Sequence, residues 1–193
     1  DKDGDENFAL YVVNLENKDI TKVTSEGAKS AIYALSRAKP NEFLFGMNDR
    51  NQSYFDVHHF DVATGKSKIV VQNDEFTGFL ADEQLNIRYS TRNLEDGSIE
   101  VSEKKDGAWN LFKLVDFEDS TYFELLGINA AGTTLYMVDP ENRDTAALIS
   151  YDIASGKSKI IGEPPQGEIS NVIANPKTYD IEGFVYDYDV KQK

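Results

Sequence analysis

The sequence of 193 residues contains no cysteine. Disulfide bonds, thiolate metal ligands and cysteine nucleophiles are therefore excluded, while the redox compartment stays open. No apolar run approaches the roughly 20 residues that a membrane-spanning helix requires, so we expect no membrane partner. The chain begins with Asp1 rather than Met, which favours an excised segment. Localisation therefore stays open between the cytoplasm and the periplasm or exterior.

Basic residues are fewer than acidic residues. Twenty Lys and Arg residues stand against 34 Asp and Glu residues, for a formal net charge of −14. This charge repels a phosphate backbone, and the cations are scattered along the chain rather than clustered. We therefore expect no nucleic-acid partner, and we interpret the acidity as that of a solvated surface.

One hairpin recurs along the sequence. The segment 61–70 (DVATGKSKIV) returns as 152–161 (DIASGKSKII), and weaker copies cover 14–23 and 102–115. Each strong copy is typical of a strand end, a tight turn and a second strand rich in β-branched residues. Glycine suits the turn because it adopts positive φ without strain. Repeated hairpins predict a repeat architecture.

Two landmarks give the length of the repeat. The turn glycines Gly65, Gly107 and Gly156 are 42 and 49 residues apart. The apolar runs that begin at residues 43, 85, 135 and 184 are 42, 50 and 49 residues apart. Such a period is typical of a four-stranded propeller blade, and no stretch shows sustained helical periodicity. The sequence therefore predicts an all-β fold, a β-propeller segment of four-stranded antiparallel blades.

The repeat divides the chain into three complete blades and two half-blades. The bounds are approximately 1–24 (half), 29–72, 76–116, 122–162 and 168–190 (half). The first half has the pattern of a third and fourth strand, and the last half that of a first and second strand. We expect a single partial propeller domain over 1–193, either a ring of four blades closed by its halves or a slice of a larger ring. Unpaired strand edges favour a homodimer through the exposed blade edges.

Three phrases of the sequence carry a resemblance to a known family. They are 3–8 (DGDENF) followed by Leu10 and Tyr11, 46–50 (GMNDR) leading into 54–57 (YFDV), and 142–146 (NRDTA). Over nearly the whole chain, these phrases and the blade layout resemble the N-terminal β-propeller domain of S9-family serine peptidases, the prolyl oligopeptidase and acylaminoacyl-peptidase group. The resemblance implies a propeller that caps a C-terminal α/β-hydrolase domain carrying Ser, Asp and His, and that admits only short peptides.

The nucleophile elbow of that hydrolase domain, Gly-x-Ser-x-Gly, is absent from this sequence. Two hairpins begin the pattern at Gly65 and Gly156, but Ile69 and Ile160 stand where the second glycine belongs. No catalytic residue can be carried over. We therefore expect this segment to be non-catalytic, within a parent protein that the resemblance makes a serine peptidase.

The blade layout and the family resemblance leave two functions of different classes open. The first is a substrate-gating cap of a serine oligopeptidase or aminopeptidase, which limits access to short peptides and packs on a C-terminal α/β-hydrolase domain of the parent chain. The alternative is a stand-alone propeller that serves as a protein-interaction platform, as in TolB-like or WD-type modules. A ring that binds a small ligand is a third interpretation.

His58 and His59 are the only two histidines. Adjacent residues of a strand point to opposite faces, so the pair cannot simply share one zinc ion. In the repeat alignment His58 falls where Tyr11 and Ile149 lie, and His59 where Val12 and Ser150 lie, which predicts packing roles between blades for both. The acidic segment 1–7 lacks the glycine and glutamate of an EF-hand at its sixth and twelfth places, and we interpret it as a turn. We expect no metal and no cofactor.

Two polar loops occupy equivalent places after the second strand of their blades, with the sequences NDR at 48–50 and NRD at 142–144. Arginine forks onto carboxylates and aspartate accepts from ammonium groups, so both loops could hold the ends of a peptide. Asp49, Arg50, Arg143 and Asp144 are therefore substrate-binding candidates. The alternative is local, with Asp and Asn fixing the turns and Arg pairing across neighbouring blades.

Overall fold

A computed structural model describes residues 4–188 and 190–192. Within these residues the backbone forms strands, turns and bends and no helix, which confirms the predicted all-β class. In the same part of the chain no helix is long and apolar enough to cross a membrane.

Strands follow one another from β1 to β17 in the described residues. Their bounds are β1 Tyr11–Val13, β2 Ile20–Lys22, β3 Ser30–Leu35, β4 Glu42–Asn51, β5 Tyr54–Asp61, β6 Lys66–Val71, β7 Gly78–Ala81, β8 Ile87–Asn93, β9 Ile99–Lys105, β10 Ala108–Val115, β11 Glu124–Ile128, β12 Thr134–Asp139, β13 Ala147–Asp152, β14 Lys157–Gly162, β15 Glu168–Ala174, β16 Ile181–Tyr188 and β17 Val190–Gln192.

Each strand pairs with its neighbour in sequence, and the strands form five sheets. The sheets are β1–β2, β3–β6, β7–β10, β11–β14 and β15–β17, so three of them have four strands. This meander of antiparallel neighbours is the pattern of propeller blades and confirms the predicted four-stranded sheets. The sequence-based division ended the last unit after two strands. The structure adds a third, β17, which pairs with β16.

The two strong copies of the repeated hairpin adopt the same turn. Gly65 and Gly156 have φ values of 66° and 70°, and their amides donate to the carbonyls of Asp61 and Asp152 at 2.9 Å in both cases. The Asp61 carboxylate accepts from the Ala63 amide at 2.8 Å. Glycine is required here because an L-residue in this left-handed region is strained.

Contacts divide the chain into two compact units, Asp1–Phe79 and Leu80–Lys193, with β7 crossing the boundary. In the first unit the strand β1 and its flanks pack on the sheet β3–β6. The residues of that core are Ala28, Phe45, Met47 and Phe60, joined by Leu10, Val12, Val23 and Phe43. The single domain over residues 1–193 stays a prediction.

Aromatic packing joins two sheets of the second unit. The ring of Phe112 on β10 meets Tyr89 at 5.2 Å and Tyr151 at 5.0 Å, edge to face in both cases. Aliphatic residues of both sheets, including Val101 and Leu135, complete the buried cluster. Burial of one sheet face against the next supplies the apolar area that an isolated four-stranded sheet lacks.

Hydrogen bonds connect the sheet β15–β17 to the sheet β11–β14 within the second unit. The Tyr136 hydroxyl donates to the Asp180 carboxylate at 2.9 Å, and the Asn129 amide group donates to the same oxygen at 3.2 Å. The backbone amide of Ala130 donates to the carbonyl of Thr178 at 2.8 Å. The turn between β11 and β12 is thereby fixed to the turn between β15 and β16.

Truncation of a buried leucine tests the importance of this packing. Leu135 is 0% exposed, whereas Leu111 in the same unit is 67% exposed. We expect Leu135→Ala to lower the free energy of unfolding by about 2–5 kcal/mol, because it leaves a cavity in the core. Leu111→Ala should change it by less than about 0.5 kcal/mol. Urea unfolding followed by tryptophan fluorescence and circular dichroism measures both, and equal effects would contradict the assigned core.

Candidate functional site

The first polar segment, 48–50, is the end of strand β4 and not a loop after it as the sequence predicted, because β4 continues to Asn51. The Asn48 carboxamide oxygen accepts from the Lys29 amide at 2.7 Å, and its nitrogen donates to the Gln52 carbonyl at 3.1 Å. Asp49 and Arg50 are consecutive residues of β4 at a point where its pairing with β5 is irregular. They have different partners, since Asp49 binds Ser25 and Arg50 binds Asp56.

Arg50 is bound within the protein. Its Nε and Nη2 atoms donate to the two carboxylate oxygens of Asp56 at 2.8 Å each, and its Nη1 donates to Asp74 at 2.9 Å. The Asp56 side chain is only 1% exposed, and the hydrogen bonds from Arg50 lower the pKa of this carboxyl group. All three guanidinium nitrogens are thus hydrogen-bonded within the protein. This agrees with the alternative in which the arginine pairs locally and does not bind substrate.

Asn73 extends this network to the connection between β6 and β7. Its backbone amide donates to Asp56 at 2.8 Å, and its side-chain nitrogen donates to the carbonyls of Phe55 and Phe76 at 3.1 and 2.9 Å. Its side-chain oxygen accepts from the Phe76 amide at 2.9 Å. Buried polar groups need such partners, so Asn73 holds the start of β5 to the segment that leaves β6.

Asp49 lines a cleft of about 500 Å³. One of its carboxylate oxygens accepts from the Ser25 hydroxyl at 2.8 Å. Glu26, Lys29 and Phe55 also line the cleft, so it presents two carboxylates, one ammonium group and an aromatic ring. A carboxylate in this setting accepts hydrogen bonds from an ammonium group.

Arg143 and Asp144 lie in the loop between β12 and β13. The Arg143 Nη1 atom is 3.4 Å from Glu163, which is longer than a typical charged hydrogen bond. Arg143 lines a second cleft, of about 950 Å³, in the unit that begins at Leu80. Asp144 is exposed. The four predicted binding residues fall in two separate units, and their role in binding substrate stays a prediction.

The two histidines occupy different surroundings. The His58 ring stacks on Phe45 at 4.9 Å, its Nδ1 is 3.3 Å from the Ser67 hydroxyl, and its Nε2 has no hydrogen-bond partner among the described residues. His59 Nε2 is 2.6 Å from Glu42. This arrangement agrees with packing for His58. In the part of the chain that the structure describes, no group of three or more His, Cys, Asp or Glu side chains could hold a metal ion.

The acidic segment near the N-terminus forms a local turn where it is described. The Asp5 carboxylate accepts from the Asn7 amide at 2.9 Å, and Glu6 has a φ of 57°. The part of this prediction that concerns Asp1 to Asp3 lies outside the described residues.

Sequence reasoning missed Asp56, Asn73 and Asp74 as the partners of Arg50. One signal was present, because Asp56 stands between the apolar residues Phe55 and Val57 near the start of β5. A carboxylate in such a strand needs a cation or several donors, and Arg50 is six residues earlier. Asn73 and Asp74 carry no comparable signal, since their contacts depend on how the next connection folds back.

The likeness to solved structures concerns the fold. The structure of TolB from Acinetobacter baumannii superposes with a TM-score of 0.65 at 12% identity, over 94% of this chain and 44% of that one. A prolyl endopeptidase structure matches with a TM-score of 0.52 at 16% identity, over 92% of this chain and 26% of that one. Together with the antiparallel four-stranded sheets, this likeness confirms the predicted β-propeller segment.

Sequence comparison gives the family. The family model described as the dipeptidyl peptidase IV (DPP IV) N-terminal region matches residues 2–143. The chain belongs to this family, the N-terminal propeller region of S9-family serine peptidases, as the sequence phrases predicted. Dipeptidyl aminopeptidase BIII of Pseudoxanthomonas mexicana is 34% identical over 193 residues, which cover 97% of this chain. The chain spans 28% of the length of that relative.

Removal of the Asn73 side chain tests the network around Arg50. Asn73→Ala deletes hydrogen bonds to buried backbone groups, and we expect it to lower the free energy of unfolding by about 2 kcal/mol. Gln72→Ala is the matched control, because the neighbouring amide is exposed. Urea unfolding measures both variants. A loss in the control as large as that in Asn73→Ala would show that the network does not stabilise the end of β4.

His58 makes the stability depend on pH. Burial lowers the pKa of His58 below its usual 6.5, although the charges of Asp49 and Asp56 offset part of this effect. The unfolded chain therefore binds a proton at higher pH than the folded chain, and folding stability falls as the pH falls below about 6.5. We expect His58→Phe, which retains stacking on Phe45, to weaken this acid dependence.

Thermal unfolding at about pH 7.5 and about pH 5.5 measures the effect. Ser67→Ala, which removes a non-titrating neighbour of His58, is the control and should retain the acid dependence of the unmodified protein. If His58→Phe loses as much stability on acidification as the unmodified protein, the buried imidazole is not its source.

Proposed function

We propose that this chain is the non-catalytic, substrate-gating propeller region of a serine oligopeptidase or aminopeptidase that acts on short peptides. The observation that carries the proposal is the match of the DPP IV N-terminal region over residues 2–143. The relative at 34% identity is named as a dipeptidyl aminopeptidase, which favours an enzyme that acts at peptide ends.

The catalytic groups would come from a C-terminal α/β-hydrolase domain of the same parent chain. The sequence contains no Gly-x-Ser-x-Gly, and its only histidines are the stacked His58 and the Glu42-paired His59. The chain's 28% share of the curated relative is consistent with a longer parent. The propeller would then contribute by shape, because exclusion by size needs no reactive group.

A gate that excludes by size must resist widening, and both units contain bonds that stiffen their sheets. In the first unit the Arg50–Asp56 pair and Asn73 join the end of β4 to the connection that leaves β6. In the second unit Phe112 is packed between Tyr89 and Tyr151. A buried carboxylate whose charge is paired, as that of Asp56 is, favours one conformation over an ensemble.

The contacts of the four predicted binding residues give each of them a different role. Arg50 would act as a positioning residue, since its nitrogens already bind Asp56 and Asp74. Asp49 lines an open cleft and would accept from a peptide ammonium group. Arg143 has a single long contact to a carboxylate, so it could bind another, and Asp144 lies exposed beside it.

The gating role predicts how hydrolysis depends on substrate size. In the full-length protein, we expect kcat/KM to fall from a tetrapeptide to a long unstructured peptide with the same N-terminal residues. A folded protein with that N-terminus should not be cleaved. Asn73→Ala loosens the end of β4, so it should raise the rate on the long peptide several-fold relative to the tetrapeptide.

Gln72→Ala is the control and should leave this ratio unchanged, with circular dichroism confirming that both variants are folded at the assay temperature. Cleavage of the folded protein at the rate of the tetrapeptide would contradict gating. The peptidase assignment would be contradicted if the full-length protein showed no peptidase activity, or only activity that a serine-directed inhibitor does not block. Such a result would favour the interaction platform.

A further inference from the structure

The cleft of about 950 Å³ lies between the edge strand β10 and the sheet β11–β14, both in the second unit. Met137, a member of the buried cluster that includes Val101, lines the cleft. Phe112 and Tyr151 also line it, in edge-to-face contact at 5.0 Å, and form an aromatic floor. The cleft thus continues an apolar interface toward solvent.

Exposed aliphatic side chains border this floor. Leu111 and Leu114 on β10 are 67% and 52% exposed, and Ile160 on β14 is 44% exposed. All three line the cleft. Large aliphatic groups that share one groove mark a surface that gains free energy when it is covered. A ligand for this cleft therefore has aliphatic side chains of its own.

The charges of the cleft differ from those of the chain as a whole. Four cations, Lys105, Lys113, Arg143 and Lys159, face three anions, Glu103, Asp139 and Glu141. The protein has a formal charge of −14, so this local excess of positive charge is opposite in sign. A cleft with such a lining favours an acidic ligand over a basic one.

Two of the four cations, Lys113 and Lys105, are paired with carboxylates of the cleft, and the other two can bind a ligand. Lys113 is bound to Asp139 at 3.0 Å and to Glu141, and Lys105 is bound to Glu103 at 2.6 Å. By contrast, no carboxylate of the described residues lies within ion-pair distance of Lys159.

The guanidinium of Arg143 contacts only Glu163 in that part of the chain, through one nitrogen at 3.4 Å. The groups free to bind an incoming carboxylate are therefore Arg143 and Lys159.

The backbone of β10 offers the remaining contacts. β10 is the outermost strand of its sheet, and within the described residues no strand pairs with its outer edge. An unpaired edge can bind an extended peptide as an additional strand, whose alternate side chains then enter the neighbouring groove. The pairing of β10 with β9 shifts register between Leu111 and Lys113, so a peptide would pair with β10 on either side of Phe112 and direct alternate side chains toward the floor of Phe112 and Tyr151 from there.

We propose that this cleft docks an extended, acidic segment of a partner protein. The segment adds a strand to the edge of β10, its aliphatic side chains cover Phe112 and Leu111, and its carboxylates bind Arg143 and Lys159. Its chemistry is an alternation of aliphatic and acidic residues, which matches the apolar floor and the positive rim. In this arrangement Arg143 binds the partner segment and not a substrate carboxylate, so Asp49 would be the candidate left for a substrate ammonium group. The proposal does not depend on the proposed peptidase function.

Fluorescence anisotropy with the full-length protein tests the proposal. The probe is a hexapeptide of alternating Leu and Glu, acylated with fluorescein at its N-terminus and amidated at its C-terminus. The comparison peptide replaces each Glu by Lys. We expect the acidic probe to bind at least about tenfold more tightly than the basic one, because the rim carries the free cations.

The repeated hairpin supplies a matched control. Lys159 in the second strong copy corresponds to Lys68 in the first, within the same sequence GKSKI, but Lys68 belongs to the other compact unit. Lys159→Glu and Lys68→Glu change the net charge equally. We expect Lys159→Glu to weaken binding of the acidic probe at least about tenfold and Lys68→Glu to leave that binding unchanged. Arg143→Gln should weaken binding several-fold.

Three outcomes would overturn the proposal. They are equal binding of the two peptides, equal effects of Lys159→Glu and Lys68→Glu, and competitive inhibition of tetrapeptide hydrolysis by the acidic probe. The last would place the cleft on the substrate path. Thermal melts of each variant confirm that a lost affinity does not reflect unfolding.

Discussion

The structure depends on one constraint, which is that a sheet of four short strands cannot stand alone in water. Each sheet must cover an apolar face with the next one, and the chain meets this need by repeating the same meander. Phe112 shows the consequence, since its ring lies between Tyr89 and Tyr151 from two successive sheets. Packing across sheets, rather than any single sheet, therefore carries much of the stability of the second unit.

Polar side chains add specificity to this packing. Asp56 is buried and would be costly without a cation, so its bidentate pair with Arg50 and the amide of Asn73 fix the end of β4, which apolar packing alone would leave free. The same network removes Arg50 from contact with a ligand. Arg143 lies in the loop after β12; among the described residues its guanidinium contacts a carboxylate at one long distance, and it lines a cleft. Two segments with related sequences thus differ in what their arginines can bind.

Much of the fold could be predicted because its signals are local and repeated. The hairpin turns at Gly65 and Gly156 need positive φ, and apolar runs recur at one period, so strand order and the antiparallel sheets follow from short-range rules. The candidate site was harder to predict. The sequence marked Arg50 and Arg143 equally, because a pattern of residue types contains no information on which carboxylates lie nearby. The strand β17, three residues long, was missed for a similar reason.

The sequence by itself determined the all-β class, the repeat length, the family resemblance and the absence of a nucleophile elbow, because each is written in residue types at fixed spacings. The tertiary structure decided which polar groups are used internally and which stay accessible. That distinction depends on contacts between residues far apart in the chain, such as Asn73 with Asp56 or Tyr136 with Asp180. Such contacts arise only when sheets pack, since the free energy of a buried charge is set by its surroundings rather than by its neighbours in sequence.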